Sequence, residues 1–322
     1  MCNNPEIEKI EFVRNTVLIN QFCKIVSLCE DDCQLIPLKG ISLLFRIYND
    51  YSRNVGDIDL FVLEKDVEKF MNHLSTIGYV PRTPGMNKVR LQSKGKFDMV
   101  HSDKKQCDLD IHINLINKKW FKLSTGDFTS FALSRVKTIE YKDLNINVLS
   151  ETDEWLYLAQ HYCFHLFSNA KWLKDLYLIQ KNFSEADIVE LIATAHHFHF
   201  ERIVTAVSKR LKSNYPPNEI TIPEMQTKKH RVFDFISSQN LKFASRFSNR
   251  IVAIYWEFIF IHRWLSRVNA YWRLLFPKLH ILKDIYNCKT ITGLLLYPLH
   301  VVLVLFSSLL FIPLLTVSKA SK

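Results

Sequence analysis

The sequence has no closely paired cysteines, few glycines and, near its end, a long stretch without any charged residue. Its seven cysteines are scattered and include no Cys-x-x-Cys pair, which argues against zinc and redox motifs and favours reduced thiols. Glycine occurs only seven times and 48% of the residues are hydrophobic, which excludes a disordered or low-complexity protein. A chain of 322 residues is long enough for two domains, each with its own core.

The amino terminus also lacks the features of a secretory signal. Such a signal begins with basic residues followed by an apolar stretch, whereas residues 1–8 are polar and acidic. We therefore expect a cytoplasmic protein.

Positive charge is concentrated in the second half of the chain. Residues 205–289 contain fifteen Lys and Arg against five Asp and Glu, and this difference equals the formal net charge of +10 for the whole chain. A basic region predicts an anionic partner, either nucleic acid or the headgroups of a membrane.

The segment after this basic region favours a membrane over nucleic acid. No Asp, Glu, Lys or Arg occurs between Lys289 and Lys319, and residues 291–317 are mostly Leu, Val, Ile and Phe over a length sufficient to cross a bilayer. We expect this segment to attach the protein to the inner face of the cell membrane. The alternative is a buried helix or helix pair, because Pro298 and Pro313 interrupt the run.

The run from Arg53 to Leu63 carries two aspartates at alternate positions. Alternate residues of a strand share a face, so Asp57 and Asp59 would point the same way. Carboxylates this close repel each other unless a cation lies between them, and Mg²⁺ takes carboxylate oxygens as ligands. The pattern predicts a metal site, and the alternative is a turn at Gly56-Asp57 followed by an edge strand.

Two further motifs strengthen the metal-site interpretation. Lys39-Gly40 lies between an apolar run at 35–38 and a helix-like segment, where a helix N-terminus could receive phosphate. A further acidic strand is predicted at 107–115. On that strand apolar residues alternate with the polar residues Asp108, Asp110, His112 and Asn114.

The order of these motifs is Leu-Lys-Gly, then Arg-x-x-Gly-Asp-Ile-Asp-Leu-x-Val, then Asp-x-His on a later strand. It resembles the uncharacterised bacterial nucleotidyltransferases of the polymerase-beta-like superfamily. The resemblance covers residues 33–179, because the helical motif with His161 and His165 and the Lys-Trp-Leu run that starts at Lys171 also look like that family.

The resemblance implies an enzyme that moves a nucleoside monophosphate from an NTP to a hydroxyl-bearing acceptor with the help of two divalent ions. It implies that Asp57 and Asp59 bridge two Mg²⁺ ions and that Asp110 holds the ion that activates the acceptor. Asp110 is preferred to Asp108 because the family places the acid two residues before a histidine, here His112. The acceptor, whether a small molecule, a sugar or a lipid-linked group, is left open.

The resemblance also implies the residues that bind the nucleotide. Lys39 and the amide of Gly40 would hold the triphosphate, and Arg53 would close on the same charge or anchor its own loop. Lys39 could equally be a structural ion-pair partner. The family's usual Gly-Ser pair is replaced here by Lys39-Gly40, and Gly40 lies further from Asp57 than in most of these enzymes.

Two other functions stay open at this point. One is a catalytically inactive binding or scaffold module, in which replacing Asp59 with Asn should leave stability unchanged or raise it. The other is an enzyme that modifies a tRNA or another polynucleotide end held by the basic half. That function predicts binding to polyanions that weakens steeply as salt rises.

These observations predict an α+β protein in three parts. The parts are a nucleotidyltransferase domain with a small mixed sheet and helices at 1–150, an all-helical domain at 151–289, and an apolar tail at 290–322. In the first domain we expect helices at 7–29, 41–48 and 67–77. Besides the acidic strand after residue 54, we expect strands at 35–38, 97–101, 106–114 and 144–149.

Two features near these elements have more than one interpretation. The proline- and glycine-containing basic loop at 82–95 is expected to lie at the lip of the site, with a solvated hairpin as the alternative. His161 and His165 lie one helical turn apart and could bind a metal. Packing or hydrogen bonding between helices is favoured for this pair, because no acidic third ligand is indicated by the spacing.

Overall fold

The computed structural model describes residues 5–29, 33–48, 51–82, 95–103, 106–116, 128–165, 167–216, 221–225, 272, 275–276 and 298–305. The chain forms two compact units. The first comprises Met1–Asn117 with Asp127–Glu154, and the second comprises Lys118–Gly126 with Trp155–Lys322. The domain limits predicted at residues 150 and 289 stay predictions.

The first unit contains a small mixed sheet. Its strands are β1 (Leu35–Leu38), β2 (Ile58–Val62), β3 (Tyr79–Pro81), β4 (Lys96–His101) and β5 (Leu109–His112). They lie in the order β1-β2-β5-β4-β3, in which β2 and β5 are parallel and the other neighbours are antiparallel. The prediction of an α+β protein with a small mixed sheet is confirmed.

The first unit also contains helices and a second, smaller sheet. The helices are α1 (Pro5–Cys29), α2 (Lys39–Arg46), α3 (Val67–Thr76) and α4 (Phe128–Leu133). An antiparallel pair forms a separate two-stranded sheet from β6 (Lys137–Tyr141) and β7 (Leu144–Val148). The helices predicted at 7–29 and 67–77 are confirmed, and the helix predicted at 41–48 begins two residues earlier, at Lys39.

Successive side chains of a strand point to opposite sides, so the two faces of the five-stranded sheet differ: one is apolar, and the other, called the polar face below, carries a charged patch beside apolar residues such as Phe61. Leu60 of β2 lies in register with Ile111 of β5, and both are fully buried. One residue earlier on these two strands, Asp59 lies in register with Asp110, and Asp110 lies in register with Asp98 of β4. The three aspartates therefore form a row on the face opposite the apolar one.

Four short elements are not revealed by the sequence pattern: α4, β3, β6 and a 3₁₀ helix at Glu64–Asp66. The side chains of β6 are exposed or half-buried, so this strand lacks the buried, apolar alternate positions on which a strand prediction depends. The strand predicted at 144–149 is confirmed as β7, which pairs with β6 and not with the five-stranded sheet.

Ionic contacts hold residues 151–154 within the first unit. Arg46 of α2 pairs with Glu154 and, over 3.1 Å, with Glu151. Arg135 donates two hydrogen bonds to the buried carboxylate of Asp153, with its Nε 3.0 Å from Oδ2. Arg46 and Arg135 thus bind the acidic first turn of the helix that begins at Glu151.

The described part of the second unit is helical up to Asn214. The helix α5 (Glu151–Phe164) begins in the first unit and belongs to the second unit from Trp155 onwards. It is followed by α6 (Ala170–Lys181), α7 (Glu185–His197) and α8 (Glu201–Asn214). The indole of Trp155 is fully buried and donates a hydrogen bond to the carbonyl of Leu176 over 3.2 Å. Ser184 and Asp187 cap α7 reciprocally. The prediction of helices after residue 150 is confirmed for these residues.

Three predicted features lie mainly outside the described residues. The basic region at 205–289 is described only at 205–216, 221–225, 272 and 275–276. The basic loop at 82–95 is described only at its two ends, and the apolar segment at 291–317 only at 298–305, which is helical. Within the described segments there is no helix of sufficient length and hydrophobicity to span a membrane.

The turn after α3 yields a test of the fold. Gly78 has φ +93°, which favours glycine, and a Cβ there would lie 3.0 Å from Ser102 Oγ. We expect Gly78→Ala to lower the free energy of unfolding by about 1–3 kcal/mol. Gly56→Ala is the matched control, because a Cβ at that position meets nothing within 4 Å. Chemical denaturation compares the two variants, and equal effects would contradict a conformational constraint at residue 78.

Candidate functional site

Asp59, Asp110 and His112 form the centre of the candidate site. The parallel pairing of β2 with β5 places Asp59 beside Asp110 on the polar face of the sheet. His112 lies two residues after Asp110 on that face, and its Nε2 is 3.2 Å from Asp59 Oδ1 and 3.3 Å from Asp110 Oδ2. Among the described residues, these three side chains form a group whose ligand atoms all lie within 4.8 Å of one another.

Two lysines from other elements neutralise the carboxylates. Lys39, the first residue of α2, places its Nζ 2.5 Å from Asp59 Oδ1. Lys96, the first residue of β4, pairs with Asp110 Oδ2. The Lys39–Asp59 pair is nearly buried, with exposed side-chain fractions of 13% and 6%, so water screens it little. The role of Lys39 as an ion-pair partner, left open by the sequence, is therefore observed.

The backbone of Lys39 is unusual for a lysine. Its φ of +52° lies in the left-handed region, where a residue with a side chain is strained. The ion pair with Asp59 holds this residue at the junction between β1 and α2. Strain at this position therefore coincides with a charged contact in the site.

The charges around the site shift the pKa values of its three carboxyl groups in different directions. Burial raises the pKa of Asp57, and repulsion from Asp59 adds to that effect. Burial acts in the same direction on Asp59, but Lys39 outweighs it with other contacts, so the pKa of Asp59 is lowered. Burial of Asp110 is outweighed chiefly by His112, and the pKa of Asp110 is lowered too. Asp59 and Asp110 are therefore ionised at neutral pH.

The donor set fits a divalent cation. Oδ1 of Asp110 is buried and accepts no hydrogen bond from the protein. A buried carboxylate oxygen without a partner is costly, and a metal ion would satisfy it. Two carboxylates suit Mg²⁺ or Mn²⁺, and an imidazole can join them at a borderline ion such as Mn²⁺ or Zn²⁺.

The predicted metal-binding trio is brought together in part. Asp59 and Asp110 belong to the group of three, and His112 is its third member. Asp57 is exposed one residue before β2, close enough for the charges of Asp59 and Asp110 to raise its pKa. Asp59 and Asp110 are therefore placed where one ion could reach both, and the assignment of all three aspartates as metal ligands stays a prediction.

Gly40 and Arg53 contact each other beside this site. Gly40 is buried in α2, and a Cβ at this position would overlap the guanidinium of Arg53 and the side chain of Val55. Arg53 is 5% exposed, and its carbonyl accepts a hydrogen bond from Asn15 Nδ2 over 2.6 Å. Of the two roles expected for Arg53, binding the triphosphate or anchoring its own loop, this position fits the second. The assignment of both residues to nucleotide binding stays a prediction.

The fold adds three residues to the polar face that the sequence motifs did not assign to the site. His112 served only to identify the motif, and Lys96 and Asp98 of β4 belong to none of the motifs. The antiparallel pairing of β4 with β5 places Lys96 opposite His112 and Asp98 opposite Asp110. Lys96 and Asp98 alternate at the start of the strand predicted at 97–101, and this alternation was the signal in the sequence for a polar face. Alternation within one strand does not determine its register with the acidic strand.

His161 and His165 belong to the second unit and pack against a tryptophan. Their ring centroids are 4.5 Å apart, and those of His161 and Trp172 are also 4.5 Å apart. Within the described part of the chain, neither histidine belongs to a group of three metal-ligand side chains. The geometry supports the packing interpretation favoured by the sequence.

The opposite pKa shifts predict opposite effects of two substitutions on stability. Asp59→Asn removes a charged partner of the nearly buried Lys39, so it should lower the free energy of unfolding at neutral pH by about 3 kcal/mol. Asp57→Asn removes a charge that partial burial and repulsion from Asp59 disfavour, but solvent reaches this position and screens charge, so the substitution should raise that free energy by less than about 1 kcal/mol. Urea denaturation in the absence of metal ions measures both effects.

The pH dependence of these effects provides the control. The lowered pKa of Asp59 means that its contribution is present above the unfolded pKa and is lost as the pH falls through the folded pKa. The raised pKa of Asp57 means that its ionisation costs stability as the pH rises. Both differences should therefore vanish in acid. Unchanged or increased stability of Asp59→Asn at neutral pH would contradict a stabilising ion pair with Lys39 and would favour the inactive module.

Comparison with known proteins places this site within a family. Residues 7–214 match the model of a family described as uncharacterised nucleotidyltransferase. No curated protein matches the chain at a significant level. The match covers more than half of the chain and includes both strands that carry Asp59 and Asp110. The resemblance to nucleotidyltransferases is thereby confirmed at the level of the family, and the chain belongs to this family of uncharacterised nucleotidyltransferases.

Proposed function

We propose that the protein is a magnesium-dependent nucleotidyltransferase of the polymerase-beta-like superfamily. It moves a nucleoside monophosphate from an NTP to the hydroxyl group of a small molecule, a sugar or a lipid-linked acceptor. The observation that carries the proposal is the Asp59–Asp110–His112 group, in which a buried oxygen of Asp110 has no hydrogen-bond partner. The family match supports the same reaction class.

The carboxylates of the polar face concentrate negative charge where cations are required. Asp59 and Asp110 would hold the metal, with Asp57 close to them, one residue before β2. Two divalent ions bound there would neutralise the charge that develops on the phosphates and activate the attacking hydroxyl. The lowered pKa values of Asp59 and Asp110 keep these side chains in the ionised form that such binding requires.

The cations of the same face provide for the triphosphate. Lys39 and Lys96 place ammonium groups at the two central carboxylates, and both can donate to phosphate oxygens. The N-terminus of α2, with the amide of Gly40, adds the positive end of a helix dipole. Arg53 supports this junction by its contact with Gly40. The nucleotide would thus be positioned by electrostatics, which is the main task in phosphoryl and nucleotidyl transfer.

Calorimetric titration of the full chain with each NTP, with and without Mg²⁺, tests the proposal. We expect one or more NTPs to bind only in the presence of Mg²⁺. Asp110→Asn should weaken that binding by about 10- to 100-fold, because it neutralises a carboxylate at the centre of the group.

Asp108→Asn is the matched control for this experiment. Asp108 lies two residues before Asp110, but its side chain is 45% exposed and pairs with Arg82 over 2.5 Å. Its neutralisation should leave NTP binding unchanged. Absence of metal-dependent NTP binding in the wild type would contradict the proposal and favour an inactive binding module.

The cellular location belongs to the proposal as well and is supported by the sequence alone. We place the protein at the inner face of the cell membrane, held by residues 291–317 and by the basic region before them. A chain that ends at Lys289 should be soluble and still bind NTP, whereas the full chain should stay with membranes after a carbonate wash. A soluble full chain together with an aggregating truncated chain would instead assign the segment to a protein core.

A further inference from the structure

Each of the two central carboxylates already has a cation of the chain on one of its oxygens. Lys39 Nζ lies 2.5 Å from Asp59 Oδ1, and Lys96 pairs with Asp110 Oδ2. The same two oxygens are the ones nearest to His112 Nε2, at 3.2 and 3.3 Å. These oxygens of the two carboxylates are therefore already in contact with two ammonium groups and an imidazole, and Oδ1 of Asp110 is buried without a hydrogen-bond partner.

An ammonium group and a divalent cation compete for such oxygens. Like charges close together repel strongly when water screens them little, and both groups bind lone pairs of the same two carboxylates. Lysine suits a displaceable role because its charge is carried at the end of a flexible four-carbon chain. The side chain of Lys96 is 35% exposed, so it has room to move towards solvent or towards a ligand on the polar face.

A polyphosphate would change the balance of this competition. Its oxygens are acceptors for ammonium groups, so a lysine that leaves a carboxylate regains a charged partner. In the absence of such a partner, a metal ion that displaces Lys39 from Asp59 separates a nearly buried ammonium from the carboxylate that neutralises it, which is unfavourable.

We infer that Lys39 and Lys96 are displaceable counterions that couple the binding of the metal ion to the binding of the nucleotide's triphosphate. The inference rests on the proposed function. Without a nucleotide, the two lysines neutralise Asp59 and Asp110 and oppose the binding of the metal ion alone. With a nucleotide, they pair with the triphosphate and release the carboxylates, so metal and nucleotide bind cooperatively. Coupling of this kind is reciprocal between the two ligands.

The test uses the full chain and two probes: Mn²⁺ alone, followed by the electron paramagnetic resonance of free Mn²⁺, and the preformed Mn²⁺–tripolyphosphate complex, followed by calorimetry. Lys39→Met and Lys96→Met should each tighten the binding of Mn²⁺ alone, by about 5- to 150-fold if the coupling is of ordinary size. The same substitutions should weaken the binding of the Mn²⁺–tripolyphosphate complex. Opposite effects on the two probes are the signature of exchange.

Lys137→Met is the matched control. Lys137 pairs with Glu151 over 2.6 Å in the same unit but outside the site, and its side chain is 56% exposed. Its substitution should change the binding of neither probe. Circular dichroism establishes first that each variant is folded. Lys96→Met carries the test by itself if loss of the more buried Lys39 prevents folding.

The outcomes separate this inference from the function on which it rests. If the wild type binds Mn²⁺–tripolyphosphate but neither lysine variant binds Mn²⁺ alone more tightly, the exchange is overturned and the proposed nucleotidyltransferase stands. If the wild type does not bind Mn²⁺–tripolyphosphate at all, the proposed function fails and the coupling fails with it. Weakened binding of both probes would show that the lysines only keep the carboxylates in place, which also overturns the exchange.

Discussion

The constraint on which the site depends is that a buried carboxylate needs a positive partner. Asp59 is 4% exposed and lies beside Asp110, so two negative charges would meet in a region with little water. Two cations from separate elements neutralise these charges: Lys39 at the start of α2 pairs with Asp59, and Lys96 at the start of β4 pairs with Asp110. An imidazole completes the arrangement between the two acids. Without these partners, the acids would shift to their neutral forms or the sheet would lose stability.

The order of the strands determines which charges meet. Only the parallel contact between β2 and β5 places the second aspartate of the Asp-x-Asp motif directly beside Asp110. The antiparallel neighbour β4 then supplies a cation and a further carboxylate to the same face. The opposite face carries fully buried aliphatic side chains such as Leu60 and Ile111, whose burial stabilises the sheet that holds the charges. Stability and chemistry are thus divided between the two faces of one sheet.

The balance of charge in the site makes its cations part of its chemistry. A carboxylate pair that is neutralised by lysines is stable in the absence of ligands, yet it keeps the ionised oxygens that a metal ion needs. Lysines are also suitable partners for phosphate, so in the proposed function the groups that stabilise the fold would also bind the substrate. The strained backbone of Lys39 fits this picture, because strain is retained where surrounding contacts hold a functional side chain in place.

The sequence by itself determined most of the longer helices and strands and the chemical class of the site. The alternation in 107–115 and the Asp-x-Asp motif indicated strands with one acidic face, and the order of motifs indicated a nucleotidyltransferase, because these signals are local or ordered along the chain. Only the tertiary structure decided which side chains meet. Lys39 and Asp59 are 20 residues apart, Lys96 and Asp110 are 14 apart, and His112 and Asp59 are 53 apart. Contacts over such separations depend on strand order and register, which local periodicity does not encode.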